Sequence, residues 1–175
     1  MTKKNVFVTI AGRPNVGKST LLNALVGEKI AIVSNKPQTT RNRITGVLTK
    51  GGTQYVFLDT PGIHKPRTYL GDYMVKAAES AISETDLCVL VVEPHSSVGD
   101  IENSIIEGVK KRQLPAILAV NKTDESNAKL IGDTILAYSK AFDFAAVVPM
   151  SAKNLQGVDT LLLEITKFAQ EGDWF

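Results

Sequence analysis

The sequence predicts an α/β fold, with a six-stranded, mostly parallel sheet and helices on both faces. Two observations predict it. Short apolar runs alternate with stretches of helical periodicity along the 175 residues, and strands separated by helices pair in parallel and are covered on both sides. The first apolar run also leads directly into Gly12-Arg13-Pro14-Asn15-Val16-Gly17-Lys18-Ser19, a strand-to-helix turn of the form G-x-x-x-x-G-K-[ST].

Taken in order, strands are expected at Val6–Ala11, Val47–Thr49, Tyr55–Leu58, Leu87–Val92, Ala116–Val120 and Ala145–Met150. A helix is expected from about Lys18, carrying Leu21, Leu22 and Leu25. Val98–Lys111, Ala128–Phe142 and Val158–Ala169 each place their apolar residues on one helical face. Gly51-Gly52, between Thr45–Lys50 and Thr53–Leu58, is a two-residue hairpin signal. The second strand is therefore expected to run antiparallel to the third, at a sheet edge. Residues 30–43 and 61–69 carry no clear period. Gly172 reads as a helix stop, and the apolar pair Trp174-Phe175 after it reads as a cut end.

Composition excludes several classes. The length suits a single domain with a full core. Lys and Arg number 20 against 18 Asp and Glu, for a net charge of +2, and aromatics are 6%. That balance lacks the basic stripe and stacking aromatics of a dedicated RNA-binding module. The single cysteine, Cys88, lies inside an apolar strand, so there is no disulfide framework and a reducing compartment is expected. The N-terminal apolar stretch is only a strand long, and no run approaches the roughly 20 residues of a membrane span.

The turn at Gly12–Ser19 is a phosphate-binding loop. Its glycines let backbone N–H groups face inward, Lys18 reaches the outer phosphates, and Ser19, followed by Thr20, stands where a hydroxyl can ligate Mg²⁺. The helix beginning near Lys18 adds its positive end. Asn121-Lys122-Thr123-Asp124 follows the fifth strand, at the carboxyl end where ligands bind in such sheets. The Asp124 carboxylate can accept from guanine N1–H and its exocyclic amine. Adenine offers no such pair, and sites of this kind discriminate by roughly 10⁴–10⁵-fold. The Lys122 stem can cover the base face, and Asn121 is placed to tie neighbouring loops together. After the next strand, a backbone N–H near Ala152 in Ser151-Ala152-Lys153 is positioned for guanine O6. Asp59-Thr60-Pro61-Gly62 ends the third strand. There Asp59 can hold Mg²⁺ through water and the Gly62 N–H can touch the γ-phosphate. A hydroxyl of Thr39-Thr40, with Thr40 preferred, would complete the metal shell when that phosphate is present, making its loop an order–disorder switch. A small-molecule kinase is the main alternative class, but it needs an acceptor pocket and an Arg-rich lid, and usually lacks N-K-x-D.

These segments together resemble the translation-factor-like branch of the G-protein superfamily, across nearly the whole chain. Pro37-Gln38-Thr39-Thr40-Arg41-Asn42-Arg43-Ile44 and Asp59-Thr60-Pro61-Gly62-Ile63-His64-Lys65-Pro66 narrow the resemblance to the Era family of bacterial GTPases. GTPases of other ribosome-assembly or tRNA-modification branches share parts of the pattern, but the His64-Lys65-Pro66 segment argues against a tandem-domain assembly GTPase. The resemblance implies a G domain of the phosphate-loop NTPase fold over residues 1–175, binding GTP or GDP with Mg²⁺. It implies work on the small ribosomal subunit and its 16S rRNA, and a following RNA-binding KH domain, without which rRNA binding should be weak. A monomer is expected in the cytoplasm, with a peripheral fraction at the inner membrane face.

Catalysis should be slow. A Ras-like enzyme orients water with a glutamine just after the Gly of Asp-x-x-Gly, and here that position is Ile63, which cannot hydrogen-bond. Arg41 and Arg43 are no clear arginine finger, and His64–Arg67 reads equally as an RNA contact or a solvated loop. His95 reads as a surface residue. Lys18, Gly62 and Asn15 are left as the catalytic candidates. Unassisted turnover is expected near 10⁻⁴ s⁻¹, roughly that of an unaided small GTPase. Potassium, held by Asn15, switch carbonyls and phosphate oxygens, would sit where an arginine finger puts its charge. Related GTPases with the same loop are potassium-activated, which the resemblance carries over to this chain.

Overall fold

The computed structural model describes residues 3–27, 43–59 and 85–172, with the backbone alone for 43–45 and 59. Thr39, Thr40, Arg41, Gly62, Ile63, the His64–Arg67 segment and Trp174-Phe175 lie outside the described residues.

The elements are β1 (Lys4–Ala11), α1 (Lys18–Val26), β2 (Arg43–Lys50), β3 (Thr53–Asp59), β4 (Leu87–Val92) and α2 (Asp100–Lys111). After them come β5 (Ala116–Val120), a 3₁₀ turn (Thr123–Glu125), α3 (Ala128–Ala141), β6 (Ala146–Pro149), α4 (Val158–Thr166) and β7 (Gln170–Glu171). The sheet order is β2-β3-β1-β4-β5-β6. β1 pairs in parallel with β3 and β4, and β4–β5–β6 continue in parallel. β2 pairs antiparallel with β3 at the edge, as the Gly51-Gly52 signal predicts. Both glycines have positive φ, 60° and 83°, which a two-residue turn of this twist requires.

Two apolar layers sandwich the sheet. Leu21, Leu22 and Leu25 of α1 and Leu161 and Ile165 of α4 pack on Val8, Ile10, Val89 and Val91. Ile105, Ile106 and Val109 of α2 and Tyr138 of α3 pack on Cys88, Leu90, Val92 and Leu118 on the other face. Successive side chains of a strand point to opposite faces, so β4, covered on both, is buried at all six positions. Among the described residues no helix is long and apolar enough to cross a membrane.

Three expectations need amendment. The sheet carries a seventh strand, because the chain leaves the last helix and pairs Gln170 and Glu171 with Asn5 and Lys4. That helix ends at Thr166 rather than Ala169. Lys167, Phe168 and Ala169 N–H groups bond carbonyls three residues back, a tightened last turn. The helix expected from Val98 starts at Asp100, behind an extended Gly99.

Candidate nucleotide site

The carboxyl ends of β1, β4, β5 and β6 face the same edge, and Gly12–Ser19, Asn121–Asp124 and Ser151–Lys153 gather there. β1 enters the loop at Gly12, where a Cβ would lie 2.5 Å from the Val91 carbonyl oxygen. Asn15 is left-handed at φ 67°, a conformation asparagine tolerates better than most residues. Gly17 has φ 101° and heads α1. A Cβ there would collide with Asn121 Nδ2, so glycine serves both the turn and the approach of the base-side loop. Lys18 Nζ donates to the Gly12 carbonyl at 2.9 Å, bridging the loop. Pro14, Ser19 and Thr20 are exposed on it.

Asn121, 3% exposed, joins the two sides. Its Nδ2 donates to the Val16 carbonyl at 2.9 Å, and its Oδ1 accepts from Ala152 N–H at 3.0 Å. The Ala152 N–H expected near guanine O6 is thus already engaged by Asn121. Thr123 adds a second tie, since its N–H and hydroxyl both donate to the Met150 carbonyl. Asn154 N–H bonds Ser151 Oγ, and Ser151 exchanges backbone bonds with Gln156. Gly17, Thr20, Asn121, Lys122, Asp124 and Lys153 line a cleft of about 150 Å³, with Asp124 in the 3₁₀ turn.

Lys122 is left-handed at φ 62°. Its ammonium reaches the phosphate loop, donating to the Asn15 carbonyl at 2.7 Å and pairing with Glu93 at 3.3 Å. Arg13 turns away from the cleft, and its Nε donates to Glu102 Oε2 of α2 at 2.7 Å. That bond holds the guanidinium above its ordinary pKa. Neither Glu93 nor Glu102 is picked out by motif. His95 is exposed, its ring nitrogen accepting from Ser97 N–H. Burial pushes the Cys88 thiol up to about 12, so it stays an inert core group.

Of the expected metal donors, Ser19 is exposed in the first turn of α1, Asp59 closes β3, and Thr40 is outside the described residues. Two hydroxyls and one carboxylate are hard oxygen donors. They are few enough to leave room for phosphate oxygens and water, which fits Mg²⁺.

Residues 7–122 match the family of 50S ribosome-binding GTPases. The GTPase Era of Clostridium novyi is 50% identical over 97% of this chain, and that of Ruminiclostridium cellulolyticum is 47% identical over all of it. The chain spans 58% and 59% of the length of these two relatives. Among solved structures, Era in complex with MgGDPNP and nucleotides 1506–1542 of 16S ribosomal RNA aligns with a TM-score of 0.79 at 35% identity. The alignment covers 99% of this chain and 59% of that one. An Aquifex aeolicus Era variant bound to GDP and AlF4⁻ aligns at 0.77 and 36%, covering 97% and 58%. The chain belongs to the family of 50S ribosome-binding GTPases, as an Era-like G domain.

Proposed function

We propose that this chain is the G domain of a guanine-nucleotide switch that hydrolyses GTP slowly and acts in assembly of the small ribosomal subunit. One observation supports this most. Asn121 fastens the phosphate loop to the Ser151-Ala152 turn through two buried bonds, closing a cleft with the Asp124 carboxylate on its wall. A neutral, rigid frame beside an acidic acceptor suits a base that presents two donors, and guanine is that base.

In this reading Lys18 and the loop N–H groups hold the β- and γ-phosphates, while Ser19, Thr40 and Asp59 hold Mg²⁺. The ion supplies charge neutralisation at the phosphate oxygens. The Lys18 ammonium, tethered to Gly12, keeps the loop closed around the charge it neutralises. Arg13, Pro14 and Val16 shape the loop rather than the chemistry. Ile63 offers no group to orient water, so turnover waits on a further source of charge. Asn15 with potassium is one such source. Single-turnover hydrolysis should be faster in KCl than in NaCl at equal ionic strength. Equal rates would remove Asn15 and potassium from the mechanism.

The partner assignment rests on similarity. The solved Era complex contains 16S rRNA, whereas this chain spans 58% of its first curated relative and carries a net charge of +2. We assign rRNA recognition to the whole protein, with a KH domain after residues 1–175, and only weak, salt-sensitive binding to this chain. The cytoplasm is the proposed compartment. Association with the inner membrane face is not needed for this role.

Asp124→Asn tests the base assignment. Xanthine presents a carbonyl where guanine presents its amine, so the variant should lose affinity for GTP and gain it for xanthosine triphosphate. Titration of both nucleotides against both proteins measures this, and unchanged GTP affinity would reject Asp124 as the reader.

A further inference from the structure

We infer that Glu102 of α2 is a positioning residue for the phosphate loop, acting through Arg13, and that this pair slows nucleotide release. The inference deepens the guanine-nucleotide reading and rests on it.

Three anchors hold the loop between β1 and α1. Val16 is held through its carbonyl by Asn121, and Asn15 through its carbonyl by Lys122. The third anchor lies at the loop's start. Arg13 Nε donates to Glu102 Oε2 at 2.7 Å, with the Glu102 side chain 5% exposed and the Arg13 side chain 43% exposed. The loop's first half carries two further constraints, Gly12 packed on the Val91 carbonyl and Asn15 in the left-handed region. Arg13 sits between them, so its side chain sets the path of the backbone that must present N–H groups to phosphate.

Glu102 is an unusual group to bury on an apolar helix face. Ile105, Ile106 and Val109 continue that face into the core. Among the described residues its second oxygen, Oε1, has no hydrogen-bond partner; it packs against Gly99, where a Cβ would strike both Oε1 and Arg13 Nη2. A buried carboxylate with one open oxygen depends on its cationic partner, here Arg13. Tyr138 of α3 lies against the same cluster, its phenol pushed up by burial and by the Glu102 charge. The glutamate could serve only its own helix, since it stands three residues after Gly99, where a glutamate can cap the first turn. Capping needs nothing from Arg13. Positioning does, and the two therefore separate by mutation.

The test is a double-mutant cycle on nucleotide release. Dissociation of a fluorescent GDP analogue is followed by stopped flow in the wild-type chain, Glu102→Gln, Arg13→Ala and the double variant. Melting temperatures are measured without nucleotide and with saturating GDP. A lost charge-assisted bond corresponds to about a tenfold change. Each single variant should release GDP about tenfold faster, and the double no faster than either single. Arg13 borders an open cleft of about 450 Å³, so Arg13→Ala leaves no sealed cavity, but it does leave the Glu102 carboxylate without its cation; Arg13→Lys retains that charge and carries the test should Arg13→Ala not fold. Arg13→Lys keeps the charge but not the Nε–H, and should also release faster. Release within twofold of wild type in both Arg13 variants overturns the inference. So does a double variant whose acceleration is the product of the singles, or a Glu102→Gln that only lowers the nucleotide-free melting temperature. A wild-type chain that binds no GDP would instead overturn the guanine-nucleotide reading, and this inference with it.

Discussion

The base side and the phosphate side of the cleft are built from different interactions. On the base side the ties are neutral, and the two made by Asn121 are buried. Asn121 bonds Val16 and Ala152, Thr123 bonds Met150, and Ser151 bonds Gln156. On the phosphate side, apart from the Asn121 bond to Val16, the described side-chain ties are cationic: Lys18 to the Gly12 carbonyl, Lys122 to the Asn15 carbonyl and Glu93, Arg13 to Glu102. The division follows from what each side has to do. Choosing one base requires acceptors that stay in place, and buried neutral bonds supply that, because leaving either partner unpaired is costly. Meeting polyanionic phosphate requires positive charge, and charge near solvent is strengthened or weakened by salt. The two sides should therefore respond differently to the same perturbations.

The largest effect should come from the base side. Asn121→Ala leaves the Val16 carbonyl and the Ala152 N–H unpaired in buried positions. At about 1–3 kcal/mol for each group, the loss is roughly 3 kcal/mol, or about 6–12 °C in Tm for a chain of this size. Neither lost bond carries a formal charge, so the deficit should be the same in low and high salt. Thermal unfolding in 0.05 M and 1 M KCl measures both. A loss under 1 kcal/mol, or one that shrinks with salt, would break the contrast. The Arg13 and Glu102 variants should fall next, because that pair is charged but its carboxylate is buried.

Most of this frame can be read from sequence, for a physical reason. The turn from β1 into α1 needs glycines at fixed spacing, and the buried strands β4 and β5 need unbroken apolar runs, so both leave strong patterns. β7 leaves none. Its two residues are exposed on the sheet end, and pairing through backbone alone places no demand on side chains. Glu93 is equally silent, since a carboxylate after a strand reads as solvated loop. Glu102 did leave a signal that the motifs do not use. It stands four residues after Val98 and three before Ile105, so a charge falls on the apolar stripe of α2. Lys122 shows the limit of motif reading, which assigns its stem to the base but not its ammonium to the Asn15 carbonyl.

The smallest effect, and the sharpest test of the contrast, is expected at Glu93. Lys122 and Glu93 are 31% and 46% exposed and stand 3.3 Å apart. A pair this open gains little net energy, because water screens it and two long side chains must be ordered. Glu93→Gln keeps the shape and an acceptor oxygen while removing the charge. Lys122 retains its bond to the Asn15 carbonyl, so the loop keeps that anchor. The variant should lose only a few tenths of a kcal/mol in GDP binding at low salt, read by calorimetric titration. In 1 M KCl, where the screening length is about 3 Å, wild type and variant should be indistinguishable. If the variant instead loses more than about 1 kcal/mol and the loss persists in 1 M salt, Glu93 fixes the Lys122 side chain as firmly as Asn121 fixes the base side. The division between a neutral, salt-blind side and a charged, salt-sensitive one would then fail at the residue where it predicts least.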